Sequence, residues 1–379
     1  TPLGGRRFVP YTGDRILVNK FAYQTADPER WDVIVFKYPG NAKQNYIKRL
    51  VGLPNETLTI RHGDVFTSSS TEDARIARKP PRKLPHVMQL VHDTAYLSRP
   101  LVQVGWPSAW FDVPQGQPTP AGSWTTASDQ QQYTLDNPSR EPAWLRYRHV
   151  FPSATEWREL ARGHKPSNLE SRRGELITDF YGYNSWHRPG VPTQYSGTYW
   201  VGDLGLEADV QVRSREGKLW LDLVEGGRHH QCEIDVATGQ ATATIDGGKE
   251  LFEGMGGTDP PSELQGATRL RGPGKYHLRW VNADDQLCLW IDDRLVAWSA
   301  GGNPHPGHYP NHPDTVPHWT PVDAGDLNPV GIGGSEIQLT MTRLRVLRDI
   351  YYSAKQTDQE RGDYPLGTYF AEVMELMAS

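Results

Sequence analysis

Only two cysteines, Cys232 and Cys288, stand in 379 residues, which excludes a disulfide-dense scaffold and a multi-cysteine zinc site. No stretch approaches the roughly 18 consecutive apolar residues of a membrane-spanning helix, and no signal-peptide pattern opens the chain. Long helical runs are scarce as well, since 37 Gly and 30 Pro interrupt the chain too often for a helical bundle. Positive charge is not in excess either. A net charge of −5 argues against nucleic acid as the main partner. What remains is a chain able to build a core, with 37% apolar and 22% charged residues. Thirteen Trp and 17 Tyr beside the many turn formers favour short strands, tight turns and long loops.

The charge is unevenly placed. The first hundred residues hold sixteen Lys and Arg against nine Asp and Glu, whereas the remainder is acidic. Alternation predicts strands at Ile16–Val18, Trp31–Tyr38, Tyr46–Gly52 and Glu56–Arg61, followed by Val65-Phe66. Pro39-Gly40-Asn41 and His62-Gly63-Asp64 supply turns. Several strands in about fifty residues with no helix between them make a compact antiparallel β unit.

Three of these segments resemble, in order, the catalytic core of type I signal peptidases: Gly13-Asp-Arg-Ile-Leu-Val-Asn-Lys20, Arg30-Trp-Asp-Val-Ile-Val-Phe-Lys-Tyr-Pro39 and Tyr46-Ile-Lys-Arg-Leu-Val-Gly-Leu-Pro54. The resemblance covers about residues 12–66. It implies that Lys48 is the general base for a serine nucleophile, and that Asn45, Tyr46 and Ile47 pair with an extended substrate. It also implies signal peptides as substrates, a membrane anchor and a catalytic domain on the extracytoplasmic side. The chemistry sets a condition on Lys48. An ordinary lysine has a pKa of about 10.4 and is charged at neutral pH, so it accepts a proton only after burial among apolar groups has lowered that value. Ile47, Leu50, Val51 and the Val33–Phe36 strand are the candidates for such an environment, with Arg49 on the opposite strand face.

Two family motifs do not match. The Ser-Met-x-Pro-Thr motif that carries the nucleophile is not among residues 1–12. Gly202-Asp203-Leu204 and Gly362-Asp363-Tyr364 share only two letters with the family's closing Gly-Asp-Asn. The expectation is therefore a fragment of a longer peptidase, inactive by itself. Self-cleaving LexA-type repressors share a Ser/Lys β-fold but lack the Tyr-Ile-Lys-Arg-x-x-Gly-x-Pro pattern.

After Phe66 the style changes. Residues 68–85 read as an exposed linker, with Ser68-Ser-Ser-Thr71 followed by Arg78-Lys-Pro-Pro-Arg-Lys-Leu-Pro85. Beyond lies a β-meander, Tyr276–Val281, Gln286–Ile291 and Arg294–Trp298, with turns at Asn282–Asp285 and Asp292-Asp293. In Ser335–Leu347 the apolar parity changes between Met341 and Leu344, which predicts a β-bulge near Thr342–Leu344. Phe370, Val373, Met374 and Met377 form the stripe of a short carboxy-terminal helix. The expected fold is all-β. A partial peptidase core (1–67) is interrupted by a jelly-roll sandwich (68–352) that loosely resembles concanavalin-type or laminin-G-like domains, and a return segment (353–379) follows. Such sandwiches bind glycans or proteins, so a binding protein on a degenerate peptidase core is the alternative function.

No cofactor or metal is expected. His305, His308, His312 and His318 with Asp314 read as a solvated loop, His229-His230-Gln231-Cys232 is too short for a metal site, and Asp284-Asp285 and Asp292-Asp293 read as turn residues. Cys232 and Cys288 are expected in the core. So are Trp220, Trp280 and Trp290, whereas Trp106, Trp110 and Trp124 are the candidates for a sugar platform.

Overall fold

A computed structural model describes residues 15–69, 74–113, 124–166, 169, 172–179, 199–257, 259–312 and 315–352. The chain divides into two compact units, Thr1–Thr57 and Leu58–Ser379.

The first unit is built on a hairpin. Val33–Tyr38 pairs antiparallel with Asn41–Arg49, and Pro39-Gly40 makes the two-residue turn between them. Trp31 is the anchor, 2% exposed, and its backbone exchanges hydrogen bonds around Leu50: Trp31 N–H donates to Leu50 O at 2.7 Å, and Leu50 N–H to Asp32 O at 2.8 Å. The strand expected at Ile16–Val18 is absent. Ile16, Leu17 and Val18 are exposed and unstructured, because alternation makes a half-buried strand only where a sheet edge offers a partner.

The second unit is a β-sandwich with a small three-stranded sheet attached. Thr57–Arg61, Asp64–Ser68 and Arg75–Ile76 form that small sheet. The turn at His62-Gly63 needs glycine. Gly63 has φ +90°, and a Cβ there would stand 2.4 Å from the ring of Tyr351. Tyr352 N–H donates to Gly63 O at 2.8 Å, so this turn is stitched to the end of the sandwich's last strand.

Two large antiparallel sheets make the sandwich. One is centred on Lys218–Glu225, flanked by Arg228–Asp235 and Val330–Ser335. The other is centred on Leu204–Val212, flanked by Gly274–Ala283 and Ile337–Arg348. Period-2 alternation turns Leu219, Leu221 and Leu223 of the first sheet inward against Leu206, Trp280, Leu289, Leu339 and Met341 of the second, all 1% exposed or less. The bulge occurs where the parity change places it. Thr342 pairs with Asp209 and Arg345 with Glu207, so Arg343 and Leu344 share one partner position, and Arg343 takes φ +51°. That extra residue keeps Met341, Leu344 and Val346 all buried.

The meander differs in one respect. Its third piece splits after Arg294-Leu295, and Trp298–Ala300 crosses to the opposite sheet. The crossing buries Trp298 edge-on to Trp280 at 6.2 Å, with its Nε1–H donated to Leu287 O.

Residues 68–85 are not an exposed linker. In their described part Ile76 pairs with Phe66, and Lys79 and Leu84 are fully buried. Leu84 and Val87 cap the outer face of the second sheet over Val281, Cys288 and Trp290. Apolar residues spaced among the basic ones carry that burial, and the charge-rich composition concealed them. The carboxy-terminal helix predicted around Phe370–Met377 lies outside the described residues.

Candidate functional site

Asn45, Tyr46, Ile47 and Lys48 lie together on Asn41–Arg49, opposite Lys37, Phe36, Val35 and Ile34 respectively. Alternation places Lys48 and Tyr46 on one face with Ile34 and Phe36, while Ile47 and Arg49 share the other with Val33 and Val35. Arg49 thus sits on the face expected for it, and its Nη1 donates to Trp31 O at 2.9 Å. Lys48 is exposed, and Tyr46 and Phe36 beside it are each 38% exposed. The hairpin therefore supplies apolar neighbours to Lys48 without enclosing it. Its sheet has two strands, so among the described residues the second edge of Asn41–Arg49 is open.

The base of the hairpin is clamped by two residues the sequence reading passed over. Arg30 Nη1 and Nη2 donate to the two carboxylate oxygens of Glu56 at 2.6 and 2.5 Å, and Nη1 also reaches Val51 O. The hydrogen bonds from Arg30, with a further one from Leu53 N–H, lower the Glu56 pKa despite its partial burial. This fork fixes the loop that follows Lys48. The only signal for it in the sequence was the position of Arg30 directly before Trp31-Asp32.

The other candidates are dispersed. Trp106, Trp110 and Trp124 are 6%, 1% and 5% exposed, so they do not make an exposed sugar platform: Trp110 and Trp124 pack in the sandwich core, and Trp106 lines a cavity beside it. Trp280 and Trp290 are core residues as expected, but Trp220 is half-buried on an outer face, in a row with Gly333 and Trp144 on adjacent strands. Cys232 and Cys288 are free and buried. Among the described residues the histidines of 301–328 form no metal-ligating group; His318 is exposed, as a solvated loop requires, but the others are at least partly buried. His305 is buried, accepting from Gly307 N–H through Nδ1 and sharing a hydrogen bond between Nε2 and Glu253 O. Burial lowers His308 to about 4, and His312 pairs with Glu250 at 3.0 Å. Tyr309 pins this segment, its hydroxyl donating to Asn282 Oδ1 at 2.6 Å. Asp314 lies outside the described residues.

Residues 10–117 match the family model described as signal peptidase, peptidase S26. The segment belongs to that family. Signal peptidase I of Pseudomonas aeruginosa is 45% identical over 69 residues, covering 15% of this chain and 24% of the relative. Signal peptidase I of Aquifex aeolicus is 48% identical over 46 residues, or 12% of this chain and 18% of the relative. The chain thus spans about a quarter or less of these relatives' length. A solved carbohydrate-binding module of Bacillus subtilis aligns at 12% identity with TM-score 0.30, covering 62% of this chain and 94% of its own. The signal-peptidase segment includes the whole Lys48 hairpin, its Arg30–Glu56 clamp and the small sheet after it. Among the described residues no helix is long and apolar enough to cross a membrane.

A different feature belongs to the sandwich alone. A cavity of about 300 Å³ opens beside Leu90, His92, Tyr147 and Trp106, with Phe151 and Trp157 at its edge. Tyr96, also on its wall, is 80% exposed. Burial lowers His92 to about 4, so the pocket presents a neutral imidazole among aromatic rings.

Proposed function

We propose that this chain is part of a membrane-tethered serine endopeptidase of the signal peptidase I type, which cleaves signal peptides from exported proteins on the extracytoplasmic side. Lys48 is the general base of a Ser/Lys dyad, and the serine comes from outside the present sequence. Neutral Lys48 takes the hydroxyl proton as the serine attacks the scissile carbonyl; the C–N bond then breaks, the Lys48 ammonium returns that proton to the departing amine, and the acyl-enzyme left behind is hydrolysed by water. Asn45, Tyr46 and Ile47 bind the substrate backbone by adding it as a strand to the open edge of Asn41–Arg49. The observation that supports this reading best is the placement of Tyr46-Ile-Lys-Arg-Leu-Val-Gly52 within the family-matched segment, with Lys48 beside Tyr46, Ile34 and Phe36. The reading requires apolar cover over that face in the working enzyme, because a general base must be neutral before it can take a proton. The test is cleavage of a signal-peptide substrate by the full-length protein in membranes, parent against Lys48→Ala. Loss of cleavage with Lys48 supports the dyad; unchanged cleavage refutes it.

A second reading, a binding role for the sandwich on a peptidase core that no longer cleaves, is favoured by the aromatic cavity of about 300 Å³ and its exposed Tyr96 and Trp157. Glycan-array binding that Trp157→Ala abolishes, in a parent that cleaves nothing, would establish that reading over the first.

A further inference from the structure

We propose that the sandwich holds a hard divalent cation, calcium, between Asp64, Asp203 and Asp284. These residues come from three distant points: the strand after the His62-Gly63 turn, the entry to Leu204–Val212, and the Ala283-to-Gln286 turn. One carboxylate oxygen from each lies within 4.8 Å of the other two. Oxygens bound to one Ca2+ at 2.3–2.6 Å stand up to about 5 Å apart, and an all-oxygen donor set suits calcium rather than a transition metal.

A fourth group points the same way. Asp349, 1% exposed, lines the same cavity of about 50 Å³ as Asp64 and Asp203. Its Oδ2 lies 2.6 Å from Lys79 Nζ, while its Oδ1 has no hydrogen-bond partner. An orphaned carboxylate oxygen at such depth is costly unless something meets it. The charge balance is also incomplete. Lys79 is the ammonium inside the cluster, and it also contacts Asp284 Oδ1 at 2.7 Å. One ammonium faces four carboxyl groups, and Asp285 and Glu225 line the cavity beyond them. A divalent ion removes most of the excess, and the cavity leaves room for about one water to complete its coordination.

The turn chemistry of Asp284 is real, with φ +53°. It delivers the carboxylate inward rather than to solvent: Asp284 is 1% exposed, and its N–H donates to Asp203 Oδ2 at 2.9 Å.

Trp200 and Tyr351 line the cavity, so terbium bound there would be sensitised by them. The experiment strips the full 379-residue chain of metal with EDTA, exchanges it into calcium-free buffer and titrates TbCl3. Emission should saturate at one ion per chain and be displaced by Ca2+, and Ca2+ should raise the melting temperature. Asp203→Asn and Asp64→Asn, each checked for parental far-UV circular dichroism, should weaken binding by about tenfold or more. Should a variant misfold, the parent's stoichiometry and calcium displacement decide the matter. No sensitised emission and no calcium-dependent melting shift in the parent would overturn the proposal, leaving Lys79 as the cluster's cation. Equal affinity in the parent and both folded variants would overturn it too.

Discussion

Two lysines, one in each unit, show how little a residue's type says about its chemistry. Lys48 is exposed on a hairpin strand, with aromatic and aliphatic neighbours on its face. Lys79 is 1% exposed, held between Asp284 and Asp349. Burial alone would depress Lys79, but the charges of Asp349, Asp284 and Asp64 reverse this and hold its pKa well above the ordinary value. Burial has therefore not made Lys79 a base. Depth helps a lysine to lose its proton only where carboxylates are absent, and Lys48 has the suitable neighbours without the depth.

The comparison breaks most visibly at Lys79. Replacing it with Met leaves Asp284 and Asp349 buried without their shared counter-ion, so Lys79→Met should destabilise the sandwich by about 3–5 kcal/mol in calcium-free buffer. Urea unfolding followed by Trp fluorescence measures this. A loss below about 1 kcal/mol would mean that the carboxyls are neutral and the ion pairs carry little.

Next comes the clamp of the other unit. Arg30 and Glu56 are each 16% exposed at the side chain, so their fork is screened more than the Lys79 cluster. Glu56→Gln should cost about 1–2 kcal/mol locally, read as faster hydrogen exchange at the amides of Trp31 and Leu50, which close the base of the hairpin. Unchanged protection there would show that the Val33–Tyr38 and Asn41–Arg49 pairing holds the hairpin without the fork.

The legibility of these features in the sequence followed sequence distance. The strands of the Lys48 hairpin were readable in part, because short-range pattern and the Pro39-Gly40 turn act within twenty residues, but the second runs Asn41–Arg49 rather than Tyr46–Gly52. The bulge at Arg343 was readable for the same reason, since a parity slip is written along a single strand. Trp106, Trp110 and Trp124 were misjudged because their burial depends on a sheet assembled from segments far away. The Asp64, Lys79, Asp203, Asp284 and Asp349 cluster was invisible, since five segments spread over nearly three hundred residues converge only after the sandwich closes. Asp284 even carried a sufficient local explanation as a turn residue, and that explanation hid its second role.

His229 sharpens the comparison at intermediate depth. It is 17% exposed at the side chain, with Nδ1 2.7 Å from Asp222 and Nε2 2.9 Å from Asp323. Burial would lower its pKa, but hydrogen bonds to both carboxylates raise it to about 10, and the same contact lowers Asp323 to about 2. A raised folded-state pKa gives stability that is complete below the unfolded value of about 6.5. That contribution fades as pH climbs toward 10. Urea unfolding between pH 6 and 10 should therefore show a decline that His229→Gln flattens, worth about 1–2 kcal/mol at pH 6. A parent and variant with parallel pH profiles would remove His229 from the set of charge-locked cations.

The smallest stability effect belongs to Lys48, and there the smallness is the informative part. Lys48→Ala takes away an exposed side chain, so its unfolding free energy should stay within about 0.5 kcal/mol of the parent. Cleavage by the full-length protein should nevertheless disappear, because no other group on that strand face can accept the serine proton. Arg49→Ala supplies the contrast: it removes the hydrogen bond to Trp31 O from the opposite face, so it should loosen the hairpin while leaving measurable cleavage. If Lys48→Ala instead lost stability together with activity, Lys48 would be a structural residue like Lys79, and the distinction between a lysine held for its charge and one held for its lone pair would fail in this protein.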